Sequence, residues 1–160
     1  MLRRIQQDEI DGFYKELYLP YIEELKYFGG SDGMSENLLR YNLCNTHMGA
    51  FEIVKAGKAV GFAITEKVAP PDIYIPMLFL AEFGIRKGCR RQGVGTAAFK
   101  EILSSLETPL FFTVLPKNKA ASAFWRRQIA INELVPVSPD SGQIRFATGS
   151  DLYCFRKGCL

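Results

Sequence analysis

Apolar side chains recur along the first part of the chain with a helical period. Ile10, Phe13, Tyr14, Leu17 and Tyr18 stand at i, i+3, i+4, i+7 and i+8, which puts them on one helical face. Asp8 is placed to cap that helix, because a short acidic side chain accepts from its first free amides. Residues 1–7 read as a short strand ahead of it. Pro20 either interrupts the helix or begins a second one, since proline has no N–H for the preceding turn. Tyr21, Leu25 and Phe28 then resume the helical spacing. Gly29-Gly30-Ser31-Asp32-Gly33 is a loop by composition, and Ser35 with Leu38, Leu39 and Asn42 predicts another short helix.

The pattern then changes to strands. Residues 49–55 and 58–67 are β-rich runs on either side of Ala56-Gly57, a tight-turn pair, and predict a hairpin. Pro70-Pro71-Asp72 breaks the pattern. Residues 77–86 form an almost continuous apolar run, which reads as a central strand buried on both faces. From Gly93 the period is helical again, with Ala98, Phe99, Ile102, Leu103 and Leu106 on one stripe. Residues 109–115 read as a strand. Asn118 can cap a helix that buries Ala121, Phe124, Trp125 and Ile129. Weaker strands follow near 133–137 and 152–156, and residues 142–146 add a further strand or a turn. The order strand, helices, three strands, helix, strand, helix, two strands predicts an α/β (α+β) fold, a mixed sheet with helices on its faces.

Composition narrows the class. The chain has 160 residues, 48% of them hydrophobic and 23% charged, which suits one globular domain spanning residues 1–160. The net charge of +3 argues against a nucleic-acid partner. Its positive residues are clustered, at Lys87, Arg90 and Arg91 and again at Lys117, Lys119, Arg126 and Arg127, which suggests a local anion site. Cys44, Cys89, Cys154 and Cys159 form no C-x-x-C pair, and His47 is the only histidine, so no metal site is expected and free thiols are. No apolar run approaches the ~18 residues of a membrane span, and no signal peptide is visible. A cytoplasmic protein with no membrane partner is the expectation.

The candidate chemistry lies where the apolar strand runs into Arg90-Arg91-Gln92-Gly93-Val94-Gly95 and opens a helix. A helix N-terminus presents unbonded N–H groups, and glycine lets a phosphate approach them. A Walker loop fails because Val94 stands where lysine is required. Gly93-Val94-Gly95-Thr96-Ala97-Ala98 fits a dinucleotide fingerprint, but no acidic residue lies about 20 positions further on to bind a ribose. Glycine at such a junction can also serve the turn alone.

The third pattern, R/Q-x-x-G-x-G/A after a strand, resembles motif A of the GNAT superfamily, the Gcn5-related N-acetyltransferases. The resemblance continues into Asn118-x-x-Ala121-x-x-Phe124-Trp125, which is similar to that family's N-x-x-A-x-x-aromatic helix. It covers roughly residues 49–129. It implies the GNAT fold, a mostly antiparallel mixed sheet of about six or seven strands splayed between the fourth and fifth, flanked by about four helices. The activity implied is direct transfer of an acetyl group from acetyl-CoA to a primary amine. Backbone amides from Arg91 through Gln92, Gly93, Val94 and Gly95 to Thr96 would bind the pyrophosphate, with the Thr96 hydroxyl as a further donor. Lys87, Arg90 and Arg91 would attract the cofactor or meet its 3′-phosphate. The pantetheine arm would pair with the backbone of Phe83, Gly84, Ile85 and Arg86, and Asn118 is a further contact to it.

Glu82 is the only ionisable side chain within residues 77–85, and is the candidate base. A carboxylate in such surroundings should titrate high, which suits taking a proton near neutral pH. The alternative is a structural carboxylate paired with a core arginine or tyrosine. The resemblance makes the Ile85 amide the oxyanion donor. Many members carry a tyrosine as general acid where this chain has Trp125, so here Tyr153 or water takes that role, or no acid is needed. The departure keeps a second reading in view, a non-catalytic coenzyme A-binding or sensor module. The family's N-terminal helices wall the acceptor, a small-molecule or protein amine, and here they carry Tyr14, Tyr18, Tyr21 and Tyr27 with Glu23 and Glu24. The same residues also suit an ordinary amphipathic helix. Dimers are common in the family, so a homodimer is a further expectation.

Overall fold

The computed structural model describes residues 1–68, 76–136 and 151–156, and in the last stretch the side chain of Phe155 alone. The break expected at Pro70-Pro71-Asp72 and the strand or turn expected over residues 142–146 lie outside the described residues. Strands β1 (Leu2–Arg4), β2 (Met48–Lys55), β3 (Lys58–Val68), β4 (Met77–Ile85), β5 (Leu110–Val114), β6 (Val135–Pro136) and β7 (Asp151–Arg156) form one sheet in the order β1-β2-β3-β4-β5-β7-β6. All neighbours are antiparallel except β4 and β5. That parallel pair is brief. Leu78 faces Leu110 and Phe79 faces Phe111, and beyond them β4 stays with β3 while β5 stays with β7. The sheet is therefore splayed between its fourth and fifth strands, as the resemblance implies.

Helices cover both faces. On one lie α1 (Ile10–Phe13), the π-helical turn Tyr14–Tyr18, α2 (Leu19–Lys26) and α3 (Glu36–Asn45), which bury Ile10, Phe13, Leu17, Tyr18, Ile22 and Leu39 against Phe62 and Ile64 of β3. On the other lie α4 (Val94–Ser104) and α5 (Lys119–Ile131), which pack Phe99, Ile102, Leu103 and Trp125 against Ala63, Leu80 and Phe112. Successive residues of β3 thus serve opposite cores, as the pleat requires.

The start of the first helix corrects the sequence reading. Asp8 does not cap it; it sits inside a 3-10 turn, Gln7–Glu9, that precedes α1. Gln6 takes the capping position, because the Glu9 carboxylate reaches back to accept from the Gln6 amide at 2.8 Å. Pro20 does not end the helical path. The π-helical turn Tyr14–Tyr18 precedes α2, and Pro20 stands in the first turn of α2, where its missing N–H costs least. Other local signals act as read. The hairpin turn holds Ala56 (φ 49°) and Gly57 (φ 74°) in left-handed backbone. Ser35 Oγ accepts from the Leu38 amide at 3.2 Å, and Asn118 Oδ1 accepts from the Ala121 amide at 3.1 Å. Asn118→Ala should therefore cost about 1 kcal/mol, seen as a melting temperature about 3 °C lower, while Asn118→Asp should keep it.

β4 is also less buried than its sequence suggests. Only Met77, Leu80 and Gly84 are fully buried, and the rest are half-buried. In the second half of the strand the splay is the reason, because it removes β5 from beside Ala81, Glu82, Phe83 and Ile85.

Candidate functional site

The site grows from the end of β4. Arg86 N–H bonds to Val60 C=O at 2.9 Å, and the register pairs Phe62 with Gly84 and Gly61 with Ile85. Hydrogen-bonded pairs alternate along an antiparallel ladder, so Gly84 bonds to β3 while Phe83 and Ile85 turn their N–H and C=O away from it. Their polar groups face the gap that β5 leaves. A β-bulge decides which side chains follow. Ile64 pairs with Glu82 but Thr65 pairs with Leu80, so Ala81 is the extra residue. Leu78, Leu80, Phe83 and Ile85 pack on the α4 and α5 side, whereas Ala81 packs on the side of α1–α3. The bulge thereby moves Glu82 out of the α4–α5 core and toward α2.

Past β4, Lys87–Cys89 make a 3-10 turn, and the loop then turns through Arg91 (φ 60°) and Gly93 (φ 75°). A left-handed arginine costs about 1 kcal/mol, yet it brings the chain round so that Gly93 caps α4. The first intrahelical bond of α4 runs from Ala97 N–H to Gly93 C=O at 3.0 Å. The Val94, Gly95 and Thr96 amides precede it and point out of the helix end. Thr96 Oγ1 accepts from Gln128 Nε2 at 2.9 Å, which leaves the hydroxyl hydrogen to be donated elsewhere.

These pieces share one cavity of about 770 Å³ between α2, the end of β4, the start of α4 and α5. Among the predicted cofactor residues, Phe83, Gly84 and Ile85 form its floor, and Gly93, Gly95 and Thr96 line it at the head of α4. Arg90, Arg91 and Asn118 also line it. Arg86 and Lys87 instead line a smaller adjoining cavity of about 330 Å³. Arg86 meets Glu16 at 3.3 Å on the surface. Gln92 lines neither cavity; its side chain bonds back to Gly88 C=O and accepts from Lys55, which closes the loop. Val94 lines neither as well, since its side chain packs with Ile53, Val60 and Ala98, and only its amide serves the helix end.

Arg90 is already engaged. Its Nε donates to Ile85 C=O at 2.7 Å, and its two terminal nitrogens meet the Glu24 carboxylate at 2.7 and 2.8 Å. Hydrogen bonding to Arg90 holds the Glu24 carboxyl below its ordinary value. The pair ties α2 to the end of β4 and stands in the wall between the two cavities.

Glu82 lines neither of these cavities. Burial pushes its carboxyl up to about 7, and hydrogen bonding from Tyr21 holds back part of that rise. Tyr21 does line both cavities. Of the other aromatics on the N-terminal helices, Tyr14 and Tyr18 belong to the core and Tyr27 is exposed. Trp125 is a core residue, with Phe83, Phe99, Phe112 and Phe124 around it at ring-centre distances of 4.3 to 5.4 Å. Tyr153 lies in β7 opposite Phe112, and its side chain is outside the described residues. Sequence reasoning missed Gln128. It is fully buried, and its Oε1 is the one buried side-chain polar atom without a hydrogen-bond partner among the described residues. A polar residue at the i+3 position from Trp125, on the buried face of α5, was the available signal.

Among the described residues no group of side chains could hold a metal, and no helix is long and apolar enough to cross a membrane. None of the curated proteins matches the sequence. Solved structures match in fold at low identity. An acetyltransferase from Thermus thermophilus is 16% identical, with a TM-score of 0.66 over 96% of this chain and 94% of that one. An aminoglycoside acetyltransferase from an uncultured soil metagenomic sample, solved with sisomicin, is 14% identical, with a TM-score of 0.59 over 92% and 93%. The diaminobutyrate acetyltransferase of Paenibacillus lautus, solved with L-2,4-diaminobutyric acid and coenzyme A, is 16% identical, with a TM-score of 0.62 over 98% and 94%. The acetyltransferase (GNAT) family profile matches residues 10–129. With the splayed sheet and the glycine loop at the head of α4, this places the chain in the GNAT acetyltransferase family.

Proposed function

We propose that the chain is an acetyl-CoA-dependent N-acetyltransferase, a single cytoplasmic domain that transfers the acetyl group directly to a primary amine. The observation that carries the reading is the gap between β4 and β5, which opens onto the unbonded amides at the start of α4. The residues fit the co-substrate. The Val94, Gly95 and Thr96 amides and the Thr96 hydroxyl suit a pyrophosphate. The outward edge of β4 at Phe83 suits an extended amide-bearing arm, while the Ile85 C=O is held by Arg90. Arg91, at the mouth, suits a further phosphate. Acetyl-CoA supplies an activated thioester. The reaction needs a base for the amine, a donor for the developing oxyanion and a proton for the leaving sulfur. Glu82 is the proposed base, the Ile85 amide the oxyanion donor, and Tyr153 or water the proton source.

Calorimetry with acetyl-CoA, followed by thiol release across a panel of amines, tests the reading. Sisomicin and L-2,4-diaminobutyric acid, bound by two of the structural neighbours, belong in the panel. Binding with thiol release is expected, and no binding at high micromolar acetyl-CoA would overturn it. A second reading, a non-catalytic coenzyme A-binding module, is favoured by the burial of Trp125 at the position where many GNAT enzymes resemble one another in carrying a tyrosine. It requires tight binding with no thiol release from any amine.

A further inference from the structure

We propose that the Tyr21 phenol relays the proton of the acceptor amine to Glu82. This rests on the acetyltransferase reading and adds to it a residue from α2 that neither family motif contains. The geometry sets the need for a relay. Glu82 lines neither cavity, whereas Tyr21 lines both. The bulge at Ala81 turns Glu82 toward α2, and Tyr21 stands on α2 between that carboxylate and the open space.

The ring is held in place. It meets Phe62 edge-on, with centres 5.1 Å apart and planes at 89°. It also lies over Gly84, where even a single added carbon would come 2.9 Å from Tyr21 Cδ2. Its hydroxyl lies by the Phe83 amide and beside the Glu82 carboxylate. A protonated phenol has a hydrogen to give and a lone pair to accept with, and the Glu82 carboxylate is the acceptor beside it.

The charged and titratable groups around this pair are few. Tyr18, from the π-helical turn before α2, feels the Glu82 charge, and its own oxygen accepts from the Met34 amide at 2.9 Å. Arg90 acts on Tyr21 through its charge while bound to Glu24. Burial raises the Tyr21 phenol well above its ordinary value, so it stays protonated at neutral pH. It therefore passes a proton on rather than holding a charge. In the step, nitrogen forms its bond to the acetyl carbon and loses a proton to Tyr21 Oη. The Tyr21 proton moves to a Glu82 oxygen in the same event. The carbon–sulfur bond then breaks, the thiolate takes a proton from water, and Glu82 returns its proton to solvent. The sum is one amide and one thiol.

Tyr21→Phe tests this, because it keeps the ring and removes the oxygen. The expected result is a kcat about 100-fold lower, with KM for acetyl-CoA within about twofold. The melting temperature should change little. The variant also loses the hydrogen bond that holds Glu82 down, so the acid limb of the pH–rate profile should move to higher pH. Carbon-13 titration of the labelled Glu82 carboxyl should move the same way, with no substrate present. An unchanged kcat in an active protein would overturn the relay alone. A lower kcat with an unmoved limb and an unmoved titration would make Tyr21 a structural support and overturn it equally. A wild-type protein that releases no thiol from any amine would overturn the transferase reading and the relay together.

Discussion

Glu82→Gln is expected to lower kcat by about 100- to 1,000-fold while leaving acetyl-CoA binding intact. The wild-type rate should rise with pH through about 7, where burial places the Glu82 carboxyl, and the variant should lose that limb. The same substitution should make the fold more stable at alkaline pH. Burial opposes the charged form, so the folded protein retains the Glu82 proton to about 7, while the unfolded chain loses it near 4.5. Between those values the folded state binds more protons than the unfolded one, and stability falls as pH rises. The contribution is fully present below 4.5 and is lost by about 7. Across that interval the loss is about 3 kcal/mol. Glutamine does not titrate, so the melting temperature of the variant should gain on the wild type between pH 5 and pH 8. Its carbonyl can still accept from Tyr21. Thermal unfolding at the two pH values, with thiol release at each, checks both halves. A wild-type stability that is flat over the interval would remove the buried carboxylate, and an unchanged kcat would remove the base.

The parts of this site that the sequence made legible are those with a local cause. A helical period placed Ile10, Phe13, Leu17 and Tyr18 in the core, because the 3.6-residue repeat leaves no other face for them. Ser35 and Asn118 were readable as caps, and Ala56-Gly57 as a turn, since each satisfies its neighbours within a few residues. Gly93 was readable as the head of α4 for the same reason. The rest depended on pairing across the chain. The bulge at Ala81 exists only in the register of β3 against β4, and it alone sends Glu82 to the side of α2. The commitment of Arg90 to Glu24 joins residues 66 positions apart. Tyr21 was visible as an aromatic on a helix face, but its place beside Glu82 follows from the packing of α2 on Gly84. Capping by Gln6 in place of Asp8 follows from the Glu9 carboxylate reaching back to the Gln6 amide, a contact that the capping preference of Asp8 does not announce.

Gly61→Ala should be the most damaging small substitution in the described sheet. A single added carbon there would land against the Gly84 carbonyl oxygen, 2.8 Å from Ile85 Cδ1 and 3.1 Å from Ile85 Cα. Two of these obstacles are backbone, so no side-chain rotation relieves them. β3 and β4 would have to part where Phe62 pairs with Gly84 and Arg86 bonds to Val60. An overpacked backbone contact of this kind costs about 3 kcal/mol, or a melting temperature about 10 °C lower. Acetyl-CoA affinity should fall with it, because the floor of the large cavity is that end of β4. Gly88→Ala is the contrast. It lies in the 3-10 turn after β4, with nothing within 4 Å of an added carbon and no left-handed backbone to relieve. Alanine there should hold or raise stability by about 0.5 kcal/mol, because it restricts the unfolded chain. Along the sequence the two glycines carry the same information, each beside an apolar strand. They differ because Gly61 lies under a neighbouring backbone and Gly88 lies open. Equal melting temperatures for the two variants would mean that β3 and β4 are not packed as closely as this geometry requires.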